Sequence, residues 1–192
     1  MTELSPEQEA IARFWSDDPG ATPTPPGHWI SILTQVVRAL DLPLDRAAEA
    51  YALVGIAVAD AFISCWNAKY RDNVLRPVTY IRRLIDPDWT PLLITPPFPE
   101  YTSGHSVQSA AAAHVLSKLF GRLAFTDRTH ERRGLAPRSF GSFMEAAREA
   151  AISRLYGGIH FRAACERGFD QAICIGKLAT SISGRGRDLG HT

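Results

Sequence analysis

Residues 45–77 read DRAAEAYALVGIAVADAFISCWNAKYRDNVLRP. Apolar side chains recur at helical spacing through Leu53, Ile56, Ala57, Ile63 and Trp66, with none of the alternation of a strand. The pattern predicts one long helix from about Asp45 to Asn73, stopping near Arg76 because the residue before Pro77 is pushed out of the α region. Lys69 and Arg76 are seven apart, two helical turns, so both are expected to face the same way at the C-terminal end of that helix. Trp66 lies one turn before Lys69 on the core side, which argues against a lysine that is merely solvated.

Helix signals continue on both sides. Ser5-Pro6-Glu7 opens a short helix to about Trp15, with a capping serine and proline in the first turn. The proline-rich run 17–27 reads as a loop, followed by a helix over about 28–40 with Ile30, Leu33, Val37 and Leu40 on one face. A shorter helix is expected at 78–85, then a proline-laden crossing segment to Glu100. An alanine-rich helix opens at about Gly104 and runs to Phe120, and 121–138 reads as loop. Phe143, Ala147, Ala150, Ile152 and Leu155 mark a helix over 139–156, ended by Gly157-Gly158, and a last helix covers roughly 163–182. The fold class is all-α, a bundle with long loops at one end.

The whole chain narrows the function classes. Its 192 residues suit one domain, and a hydrophobic fraction of 45% with 21% charged residues is that of an ordinary globular protein. Net charge is +1 with scattered basic residues, so no nucleic-acid surface is expected. Residues 184–192, including Gly-Arg-Gly-Arg at 184–187, read as a tail. Cys65, Cys165 and Cys174 are an odd number without CxxC spacing, indicating neither a disulfide framework nor a zinc site; Cys65 and Cys174 are expected to be buried. The acidic, polar N-terminus is no signal peptide, and no uninterrupted apolar stretch reaches the roughly 18–20 residues of a membrane span. A soluble, cytoplasmic protein is the expectation.

Two further stretches complete a pattern with Lys69 and Arg76. Ser103-Gly104-His105 stands where a loop becomes a helix, and helix N-termini favour anions; taken alone, Ser103 would be no more than an N-cap. Arg154 lies near the end of its helix and His160 just past the Gly-Gly break. A guanidinium grips two oxygens in a fork, and an imidazole entering from a turn can meet a central atom through a ring nitrogen. Together these residues supply cations, a hydroxyl, a glycine amide and two imidazoles, a combination suited to phosphate or an ion of its shape. His28, His114, His130 and His191 receive no role from sequence.

The order Lys-x6-Arg-Pro, Ser-Gly-His, Ser-Arg-x5-His resembles the superfamily of type 2 phosphatidic acid phosphatases, bacterial acid phosphatases and vanadium-dependent haloperoxidases, and is closer to the haloperoxidase branch. The likeness runs from about residue 9 to 180, and implies the helical bundle of the vanadium chloroperoxidase and acid phosphatase type. It implies that Lys69, Arg76, Ser103, Gly104 and Arg154 bind the equatorial oxygens of vanadate, with His160 as the axial vanadium ligand. Phe98 and Trp66 would line a halide pocket. His105 would manage protons, paired with Asp18, while Lys69 polarises bound peroxide for attack by halide. With phosphate in the same cage, His160 would be the nucleophile and His105 the acid of a phosphoesterase. Family analogy allows a homodimer.

Two residues depart from the pattern. Thr102 replaces the usual proline before Ser-Gly-His, and Ala164 replaces an aspartate that would accept from the second nitrogen of His160. Losing such a partner weakens metal affinity or activity about 10–100-fold, unless Glu166 or a backbone carbonyl substitutes. The sequence therefore suggests a haloperoxidase-like enzyme first, a soluble acid phosphatase second, and a catalytically impaired homologue third.

Overall fold

The computed structural model describes residues 3–182. The expected tail and His191 lie outside these residues.

Helix α1 (Pro6–Phe14) is closed by a reciprocal cap: Gln8 N donates to Ser5 Oγ at 3.2 Å and Ser5 N donates to Gln8 Oε1 at 2.9 Å. Helix α2 (Thr24–Ala39) starts earlier than the sequence suggests. Pro25 and Pro26 are tolerated there because first-turn amides have no intrahelical acceptor to lose. Its buried face is Trp29, Ile32, Leu33 and Val36, and Leu40 is exposed.

Helix α3 (Leu44–Asp72) ends at Asn73, whose left-handed backbone (φ 47°) returns its N–H to Lys69 O at 2.9 Å. Arg76 is therefore not on α3. It is the extended N-cap of α4 (Pro77–Leu84), and reaches Lys69's neighbourhood from the next element. The buried stripe of α3 runs through Ala50, Leu53, Ala57, Ala61, Cys65 and Ala68, whereas Ile56 and Ile63, expected inside, are 37% and 67% exposed. By length and composition the stretch Leu44–Leu84 holds a window apolar enough to cross a membrane, a test that the core helix of a bundle also passes; 39% of that window is buried within the bundle.

At the centre stands α5 (Gly104–Phe120), with Val107 and Ala110 through Ala113 wholly buried. Alanine at these positions lets α3, α6 (Phe143–Tyr156) and α7 (Arg162–Ser181) approach closely. Gly176 of α7 lies so near His114 that an added Cβ would come within 2.7 Å of the histidine Cβ. Cys174 is exposed, not buried. The expected loop 121–138 holds two three-residue strands, β1 (Phe125–Asp127) and β2 (Arg138–Phe140), paired antiparallel with Phe125 opposite Phe140. Strands this short show no alternation to read.

Gly176→Ala should destabilise the fold by about 1–3 kcal/mol despite alanine's better helix propensity, because α7 must move off α5. Urea unfolding checks this; unchanged or raised stability would contradict the packing described.

Candidate functional site

The end of α3, the N-cap of α4 and the end of α6 bring their cations to one place. Lys69, in the last turn of α3, has no exposed surface and donates from Nζ to Pro99 O and Glu100 O, each at 2.9 Å. An ammonium has three donors, so one remains for a ligand. The Trp66 and Phe98 rings stand 5.7 and 5.3 Å from Nζ, and the Arg76 guanidinium lies 5.0 Å from the Phe98 ring. Arg76 is held by Phe98 O and Ile159 O, both at 2.8 Å, and Arg154 by Trp15 O at 2.6 Å. Trp66 and Phe98 thus stand against the cationic side.

His160 follows Gly158, whose φ of 73° turns the chain inward. Its Nδ1 meets Glu100 Oε1 at 2.7 Å, and the same oxygen accepts from Phe161 N at 2.9 Å. Its Nε2 lies 3.1 Å from Arg76 Nη1. A guanidinium only donates, so Nε2 must be the acceptor and Nδ1 the protonated nitrogen. Burial, with Arg76, Lys69 and Arg154 nearby, holds the ring far below its ordinary pKa, hence neutral. Arg76 on Ile159 O and His160 Nε2 joins the first sequence stretch to the third, and Ser103 N on Ala164 O at 3.1 Å brings the second beside them.

Glu100 takes the place left by Ala164. It is buried and fixed through its N–H to Val74 O at 3.0 Å. Neither expected substitute serves: Glu166 is exposed beside Arg162, and the Ala164 carbonyl instead accepts from Ser103 N at 3.1 Å. Glu100 was hidden in the sequence because it closes a proline-rich segment far from His160. Thr102 ties the loop in another way, donating from Oγ1 to Gln171 Oε1 at 2.8 Å.

The aspartate beside His105 is Asp17, not Asp18. Asp17 Oδ2 is 3.4 Å from His105 Nε2, and Asp17 is buried while Asp18 is exposed. Asp17 adopts a left-handed backbone (φ 51°) just past α1, which turns its side chain inward; Asp18 O accepts turn hydrogen bonds from Ala21 N and Thr22 N. Burial and Arg154 lower His105 to about 4, so its ring is neutral near pH 7. Sequence reading also missed His28 and His130, both buried against Asp17.

The pocket has more buried positive charge than the carboxylates around it balance. Burial lowers Lys69 to about 8, and Arg76 and Arg154 each to about 10. Arg76 Nη2, Arg154 Nε and His105 Nε2 are buried without a hydrogen-bond partner among the described residues. Orphaned donors on buried guanidinia call for an acceptor. Ser103 Oγ accepts from Ser106 N at 3.4 Å as the cap of α5, and Gly104 sits in the first turn of that helix, whose amides face outward along the helix axis. A tetrahedral oxyanion such as vanadate or phosphate fits this donor set.

The VCPO second helical-bundle domain, as a family, matches residues 49–88 and 85–185. The chain belongs to the vanadium haloperoxidase and type 2 phosphatidic acid phosphatase superfamily. A crystal structure of a bacterial vanadium-dependent iodoperoxidase is 49% identical with a TM-score of 0.88, covering 91% of this chain and 43% of that one. The holo form of a bacterial vanadium-dependent chloroperoxidase is 21% identical with a TM-score of 0.79, covering 95% and 45%, a likeness of fold. Vanadium chloroperoxidase of Curvularia inaequalis is 24% identical over 223 residues, covering 84% of this chain and 37% of that protein. This haloperoxidase-like chain thus spans less than half the length of these relatives.

Sulfate, a dianion across this range, should bind with an affinity that declines as pH rises through about 8. Below that pH Lys69 is already charged; above it, binding must recapture a proton, weakening affinity by up to about tenfold per pH unit. Calorimetric titration of wild type and Lys69→Met measures this. A slope persisting in the variant, or absent from wild type, would contradict the cage.

Proposed function

We propose that this chain carries the catalytic bundle of a vanadium-dependent haloperoxidase that oxidises halide, iodide foremost, with hydrogen peroxide. The observation that carries the reading is the unprotonated Nε2 of His160, fixed by Glu100 on its other nitrogen and surrounded by Lys69, Arg76 and Arg154. The 49% identity to the iodoperoxidase supports the choice of halide.

In this reading Arg76, Arg154, Lys69, Ser103 and Gly104 hold the oxygens of vanadate, and His160 Nε2 is its protein ligand. Bound there, vanadate supplies a Lewis-acidic centre that activates peroxide towards a halide. The residues do the rest. The fork of each arginine fixes the anion's orientation and offsets its charge in a site of low dielectric. Lys69 keeps one N–H free to polarise an oxygen of the oxidant. His105, neutral and backed by Asp17, takes up or returns the proton that accompanies peroxide binding and water release. Trp66 and Phe98 shield this side from water and leave a polarisable aromatic wall for a large halide.

The same Nε2 lone pair supports a second reading, phosphoester hydrolysis. His160 would form a bond to phosphorus as the P–O bond to the alkoxide breaks, and His105, having taken up a proton as the phosphate anion binds beside it, would pass that proton to the alkoxide and return to the neutral ring. Water would then release phosphate and regenerate His160.

Purified protein supplied with vanadate, peroxide and iodide should oxidise iodide, with activity abolished in His160→Ala and reduced about 10–100-fold in Glu100→Gln. Hydrolysis of a chromogenic phosphomonoester without iodide oxidation would replace the first reading by the second. Wild-type rates in His160→Ala would overturn both.

A further inference from the structure

Beside His105, Asp17 is the meeting point of three imidazoles. Its Oδ1 and Oδ2 lie 2.9 and 3.1 Å from His28 Nδ1, Oδ1 also faces His130 Nε2 at 3.2 Å, and Oδ2 faces His105. The other nitrogen of His28 meets a second carboxylate, Asp127 Oδ2, at 2.7 Å. His28, Asp17 and Asp127 have almost no exposed side-chain surface. An ionised carboxylate can only accept, so an imidazole clasped between two of them must donate from both nitrogens. The ring is an imidazolium. Its hydrogen bonds to Asp127 and Asp17 outweigh burial, which acts the other way, and raise it to about 9.

Each partner is itself fixed. Asp127 accepts from Thr129 N at 2.9 Å and Thr129 Oγ1 at 2.6 Å, as well as from Gln35 Nε2 at 3.3 Å. The Trp15 ring stacks on His28 with centroids 4.5 Å apart, and His130 meets it edge-on at 4.7 Å. Two carboxylates and one imidazolium leave a net negative charge directed at His105. Without His28, Asp17 would lose the cation bonded directly to it and keep only Arg154 and the rings of His105 and His130 against the cost of its burial.

We propose that His28 is a positioning residue, a buried imidazolium bridge between Asp17 and Asp127 that holds the Asp17 carboxylate ionised and aimed at His105. The proposal rests on the functional reading above in so far as His105 handles the proton. A metal ion is the competing use of this cluster, since Asp17, His28 and His130 offer ligand atoms within 4.8 Å of one another. It is disfavoured because a metal on His28 Nδ1 would displace both contacts to Asp17 inside a ring-packed core.

The test uses the full chain labelled with ¹⁵N-histidine. Both ring nitrogens of His28 should be protonated throughout about pH 5 to 8, where a free histidine would titrate. Asp127→Asn keeps the shape but removes the charge. It should move the His105 ring resonances and lower kcat for iodide oxidation about tenfold, with the iodide KM and sulfate affinity unchanged. A singly protonated His28, one tightly held metal ion per chain, or unmoved His105 resonances in Asp127→Asn would overturn the proposal. If wild type neither oxidises iodide nor cleaves phosphoesters, the functional reading fails, and the ring spectra still decide the bridge.

Discussion

Three cations are buried around one imidazole, and the carboxylates near them are too few to neutralise them. Lys69, Arg76 and Arg154 are nearly or wholly inaccessible, and Glu100 and Asp17 are the acids that face them. Burying unbalanced charge is costly, so such an arrangement persists where something else returns the cost. Much of the neighbouring architecture serves that purpose. Backbone carbonyls of the crossing loop clasp Lys69 and Arg76, the Trp15 carbonyl clasps Arg154, and the two arginines still keep donors in reserve. The bundle is a frame that holds those donors around His160.

The two imidazoles of the pocket are kept neutral by burial first, with Arg154 acting on both, but are given different duties by their carboxylates. Glu100 accepts a close hydrogen bond from His160 Nδ1, which commits the proton to that nitrogen and leaves the other as a base. Asp17 stands further from His105, at 3.4 Å and without hydrogen-bond geometry, leaving that ring freer to gain or lose a proton. Asp17 is in turn engaged from behind by His28 and His130. Acid–base character is thus distributed over a layer that begins at the small β1 strand and ends at the pocket.

Much of this could be read from the chain alone, for physical reasons. Long periodic helices were legible: α5 and α7 lie close to where spacing places them, and Ser103 and Gly121 mark the ends of α5. The cage residues were legible too, since their types are rare in combination and each sits at a helix terminus. What escaped depends on side-chain direction at irregular backbone. Asp17 and Asp18 are adjacent, and a left-handed φ at Asp17 decides which one turns inward. Glu100 and Ala164 are remote in sequence, so the substitution of one carboxylate for another shows only in three dimensions. His28 receives no role from sequence because α2 begins earlier than its prolines suggest, and Asp127 lies in a strand too short to notice.

The most direct measurement is a crystal structure of the protein grown with orthovanadate or its electron-dense analogue tungstate. The account predicts one strong peak bounded by Arg76 and Arg154, with its centre in bonding reach of His160 Nε2 and the His160–Glu100 contact retained. A cage without bound oxyanion at saturating concentration, or an anion held elsewhere on the surface, would contradict it.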